Sequence, residues 1–164
     1  MTGLPAVEDD ARRSWRHPIV RVALRDHLSR VDGDRRSSHG RLFPCVCCGY
    51  VTLSQRNDSY EICSICFWED EKTALRWPRD PSGGANHVSL KQAQRNFATF
   101  RASERRVRQL VRPPGNGTLR EPGFRPLDPR RDRVERQWER PWRDWPQHID
   151  AFYWWRPTYW LRTR

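Results

Sequence analysis

Two C-x-x-C turns, Cys45 to Cys48 in PCVCCGY and Cys63 to Cys66 in YEICSICFWEDE, stand 14 residues apart. Joined by a hairpin, such turns bring four thiols to one point, and a tetrahedral set of sulfurs is what zinc takes in a structural site. With all four ligands cysteine, no position is left for a reacting water, so the expected site is structural rather than catalytic. Iron in the same thiolates is the less expected occupant. A segment of about 70 residues builds only a small core, and structural zinc contributes roughly 10–16 kcal/mol that becomes folding free energy.

A fifth cysteine, Cys47, lies inside the first turn. Gly49 follows Cys48 and supplies the permissive backbone that a metal turn needs after its second ligand, which assigns Cys45 and Cys48 to the metal. Cys47 is left over, either as an inert small side chain or as a redox-sensitive thiol activated by the neighbouring metal.

Around this centre the chain reads as three zones. Residues 1–40 form a basic, poorly ordered extension with one patterned stretch, expected as a short helix over 19–31. Residues 41–112 hold the organised domain. Here Tyr50 to Leu53 reads as a strand, Gln55 to Ser59 as a turn and Tyr60 to Ile62 as the returning strand. A helix is predicted over 90–111. Ser89 and Gln92 make a capping box, Leu90, Ala93, Phe97, Phe100, Val107 and Val111 follow helical spacing, Glu104 and Arg108 pair, and Pro113-Pro114 ends it. Residues 113–164 are rich in Pro, Trp and Arg, with six of the nine tryptophans in the last 27 residues. The expected fold is a small α+β domain: a zinc-ribbon-like β-hairpin carrying both knuckles, packed on one long helix, with extended flanks.

The segments FPCVCCGYVTL, YEICSICFWEDE, SGGANHVSLKQAQRNFATF and, more loosely, VRPP resemble the bacterial cysteine-rich CPCC family. The resemblance implies a metal-binding domain and supplies no activity. Val46 and Ser64 stand where the family carries proline, so these turns lack the φ restriction that proline would provide. Within FWED, Phe67 and Trp68 are expected to shield the metal turn, and Glu69, Asp70 and Glu71 to form a solvated or helix-capping charge run. Gly83, Gly84 and Asn86 are expected to shape a loop, and His87 to be polar surface.

The chain carries 31 Lys and Arg against 20 Asp and Glu, a net charge of +11, and its only lysines are Lys72 and Lys91. That balance favours an anionic partner. No apolar segment reads as a signal peptide or a membrane span, so a cytoplasmic protein is expected. The function expected is a non-catalytic zinc module that recognises a macromolecule, nucleic acid or protein, through basic and aromatic flanks. Trp142, Arg143, Trp145, Trp154, Trp155 and Arg156 are the candidate contacts, where arginine would pair with phosphates and rings would stack. A protein-interaction or toxin-neutralising scaffold, and a redox-sensing or iron-thiolate protein, are the alternatives. Nothing in the sequence joins a nucleophile to a base, so an enzyme is not expected.

Overall fold

A computed structural model describes residues 41–56, 58–137, 139 and 145–162. The stretch 19–31 predicted as a helix lies outside these, as do Trp142 and Arg143.

Among the described residues the regular elements are few and short. Strand β1 (Phe43–Pro44) pairs antiparallel with β2 (Val51–Leu53), with Phe43 opposite Leu53, Pro44 opposite Val51 and an irregularity between the two pairs. Helix α1 spans Lys72–Arg76 and α2 spans Leu90–Phe100. Single 3-10 turns follow at Arg105–Val107 and Ile149–Phe152.

The hairpin differs from the one predicted. β2 does not pair with 60–62; it folds back on the residues before Cys45, and Ile62 bridges to Glu69 instead. Each C-x-x-C turn therefore closes on its own flanks. In the first, Cys45 N–H donates to Tyr50 O at 2.8 Å and Gly49 N–H to Cys45 O at 2.7 Å. In the second, Cys63 N–H donates to Trp68 O at 2.9 Å and Phe67 N–H to Cys63 O at 2.7 Å. The same two bonds at the same offsets make the halves of the site structural repeats. The reason is local: a turn of this size satisfies its backbone within itself and leaves little for a longer ladder.

Helix α2 is also shorter than predicted. Ser89 caps it, its Oγ accepting from Gln92 N–H at 3.3 Å. The helix ends at Arg101, which turns left-handed at φ +66°. The helical spacing through Val107 persists although the helix does not, because the chain is needed elsewhere. Ser103 N–H donates to Cys66 O at 2.7 Å and Arg112 N–H to Ser64 O at 3.0 Å, so residues 103–112 cover the second knuckle. Asn96 Nδ2 holds the bend by donating to Ser103 O at 2.7 Å. Glu104 pairs with Arg106 rather than with Arg108. Of the helix face, Leu90, Ala93, Gln94 and Phe97 are buried, and Phe100 is half-buried.

The core is centred on the cysteines. Val46, Leu53, Ile65, Trp68, Leu75, Leu90, Ala93 and Phe97 surround them, and from the C-terminal zone come Leu127, Phe152, Tyr153, Trp154 and Tyr159. The first knuckle is covered as the second is: Val51 N–H donates to Leu119 O at 2.9 Å and Glu121 N–H to Gly49 O at 2.8 Å, which lays residues 119–121 along it. Further out, Arg76 has a fully buried side chain. It pairs with Glu135 at 3.1 Å and lies under the rings of Trp77, Trp145 and Trp160 at 5.3, 4.8 and 5.4 Å from their centroids. A buried cation needs such partners, because desolvation alone would expel it.

Candidate metal centre

The two repeated knuckles place Cys45, Cys48, Cys63 and Cys66 with their sulfurs all within 4.8 Å of one another, and all four are fully buried. Cys45 Sγ lies 3.5 Å from Cys66 Sγ, and Cys48 Sγ 3.7 Å from Cys63 Sγ. Thiolates about 2.3 Å from a shared tetrahedral ion stand about 3.8 Å apart, so these separations fit a metal. All five cysteines are free of disulfides. Cys47 is outside the four-sulfur set and is 2% exposed, packed into the core.

The geometry depends on a left-handed residue after the second cysteine of each turn: Gly49 at φ +79° and Phe67 at φ +63°. Glycine takes this conformation without strain, whereas Phe67 holds it at a cost of about 1 kcal/mol. At Gly49 a side chain is also excluded sterically, because a Cβ there would overlap the ring of Phe124.

Electrostatics points the same way. Burial pushes the thiols of Cys45, Cys48 and Cys66 well above their ordinary range. Burial acts on Cys63 too, but hydrogen bonds from Cys45, Cys48, Cys66 and the Thr52 hydroxyl, 3.2 Å away, hold it well below that range. Four buried sulfurs this close cannot all ionise unless a cation shares them. The sign of the pH dependence follows. A bound cation favours the thiolates, so the stability it adds is present at neutral and higher pH and is lost as acid protonates the ligands. Dialysis of metal-loaded protein over a falling pH series should release metal and unfold the chain together; metal retained in acid by a folded chain would contradict the assignment.

Beyond the cysteines, FWED and GGAN form a latch. Asn86 Nδ2 donates to Glu69 O at 2.9 Å and to a Glu71 carboxylate oxygen at 2.8 Å, while its Oδ1 accepts from Glu69 N–H at 3.0 Å. Glu69 also accepts from Ala85 N–H at 3.1 Å, and Asp70 from Ser59 N–H at 3.2 Å and its hydroxyl at 3.0 Å. The acidic run is therefore held by partners rather than solvated, and it stands at the start of α1, the other placement expected for it, with Glu71 at the N-cap position though its side chain makes no capping bond. Asp70 and Glu71 are buried, and burial pushes the Asp70 and Glu69 carboxyls upward. Asn86→Ala should cost about 2–4 kcal/mol, since it strips the partners from Glu69 and Glu71. A thermal melt checks this, and an unchanged midpoint would remove the latch from the account.

Two contributors escaped sequence reasoning. Thr52 is one. The other is Gln94, whose Nε2 donates to Val46 O at 2.8 Å and whose Oε1 accepts from Leu127 N–H at 2.9 Å. The available signal was a polar residue on the apolar face of α2, between Ala93 and Phe97. Among the predicted contact residues, Trp154 is buried with its Nε1 donating to Arg125 O at 3.0 Å, and Trp145 and Trp155 are half-buried against the core. Arg156 is half-buried and pairs with Glu121 and Asp150. His87 is exposed, as expected.

This is a cysteine-rich domain with four cysteines positioned to bind a metal. Residues 43–117 match the model of the cysteine-rich CPCC family, which bears out the resemblance over that segment. Neither the curated proteins nor the solved structures gave a match. Among the described residues, no helix is long and apolar enough to cross a membrane.

Proposed function

We propose that the protein is a non-catalytic cytoplasmic module, stapled by one structural zinc ion, that binds nucleic acid. The observation that carries the first half is the closed set of four buried sulfurs within 4.8 Å of one another. Zinc suits tetrahedral thiolates, carries no redox chemistry, and in a four-cysteine site has no position open to substrate. Cys45, Cys48, Cys63 and Cys66 would hold it, and what it supplies is folding free energy.

The second half is supported by charge. The net charge of +11 is carried almost wholly by arginine, and arginine combines bidentate phosphate contact with stacking on bases. Anisotropy titrations with labelled single- and double-stranded oligonucleotides test it. Binding should be present in low salt and weaken steeply as salt is added, because each neutralised phosphate releases counterion. No binding, or binding indifferent to salt, rejects the nucleic-acid reading and leaves the zinc module untouched.

A further inference from the structure

Where the cationic surface lies is set by how the acids are used. Arg76 is matched with Glu135, Arg125 with Asp132, Arg136 with Asp80 and Arg156 with Glu121. Among the described residues, exposed arginines without an acidic partner also occur elsewhere, as at Arg130, Arg131 and Arg133, but the segment that leaves α2 combines them with a long stretch free of acids and a groove. Arg101, Arg105, Arg108 and Arg112 are all exposed, and among the described residues no acidic side chain lies within ion-pair distance of any of them. Its one acid, Glu104, is occupied by Arg106 and by His87 N–H. From residue 105 to residue 120 the chain has five arginines and no Asp or Glu.

The backbone under these arginines is fixed. Ser103 and Arg112 are bonded to the carbonyls of Cys66 and Ser64, and Ala102, Ser103 and Val107 are buried. The small and apolar side chains are thus used inward, which leaves the guanidinium groups at the surface of the second knuckle. Beside them is an open groove of about 360 Å³ lined by Val88, Asn96, Phe100, Glu104, Arg105 and Arg106. The Arg105 guanidinium lies 5.3 Å from the Phe100 ring centroid, so the groove carries a stacked cation and ring.

We propose that residues 101–112 form a binding surface for single-stranded nucleic acid. Arg101, Arg105, Arg108 and Arg112 contact phosphates, and the Phe100–Arg105 pair stacks on a base in the groove. The inference rests on the nucleic-acid reading above and places it on the second knuckle rather than on the tryptophan-rich tail. A single strand is favoured over a duplex because the surface is an irregular turn with no helix to enter a groove, and a flat ring and guanidinium need an unstacked base. An acidic polypeptide would satisfy the charges but not the stacking surface.

The test compares the full-length, metal-loaded chain with two variants that remove equal charge. One has Arg101, Arg105, Arg108 and Arg112 changed to Ser; the other has Arg130, Arg131, Arg133 and Arg162, also exposed, changed to Ser. Each is titrated with an oligo-dT single strand, a duplex and poly-glutamate, and metal content and melting midpoint establish that each is folded. The first variant should bind the single strand at least about tenfold more weakly, with a log–log salt slope smaller by about three, and the second should keep the parent's slope. Equal loss in both overturns the localised surface while the nucleic-acid reading stands. Poly-glutamate bound as tightly as the single strand overturns the choice of partner, and a parent that binds no oligonucleotide takes down both readings.

Discussion

Chelating the metal should unfold the described part of the chain in a single cooperative step. Among the described residues the regular structure is too small to persist without it: strands of two and three residues, and helices of five and eleven. Helices this short are marginal in water, and an isolated hairpin is no better. Both knuckles, the face of α2 and the C-terminal rings pack in one cluster around the sulfurs. Losing the ion therefore removes the point to which each segment is tied, and the roughly 10–16 kcal/mol that structural zinc supplies is comparable to the whole stability of a domain. Tryptophan fluorescence and circular dichroism during chelator titration should change together. A chain that keeps its near-ultraviolet signal after complete chelation would show that the core stands unaided.

The second large effect is expected at Gly49. Gly49→Ala should destabilise the metal-loaded protein by about 2–4 kcal/mol, from about 1 kcal/mol of left-handed backbone strain plus overlap with the Phe124 ring. That overlap lies where residues 119–121 run along the first knuckle, so the substitution should also loosen the C-terminal covering. Phe67→Gly provides the contrast at the equivalent position, where it relieves backbone strain instead of creating it. Denaturant melts of the two should move apart, with the alanine variant clearly the weaker. Equal stability of Gly49→Ala and the parent would mean that the first knuckle does not require this turn.

The four-sulfur site was legible because it depends on short-range spacing: two C-x-x-C turns and the glycine after one of them. The capping Ser89 was legible for the same reason. The hairpin partner was not, since Phe43-Pro44 is too short to carry an alternating pattern and its pairing is decided by bonds inside the knuckle. The end of α2 was hidden by Val107 and Val111, which keep helical spacing although Arg101 has already turned left-handed to bring Ser103 onto Cys66. That the acidic run leads into α1 was legible, but its burial was not, because its partners, Ser59 and the Ala85-Asn86 loop, are brought to it only by the fold. Thr52 looks ordinary in sequence for that reason too, and Gln94 shows there only as a polar residue on an apolar face: each acts on atoms that the fold brings to it.

The central claim is that four cysteines hold one metal ion and that the fold depends on it. Elemental analysis of the purified protein beside Cys63→Ser tests this most directly. The account predicts one zinc per chain in the parent and loss of both metal and cooperative melting in the variant. A parent that is folded and carries no metal would contradict it.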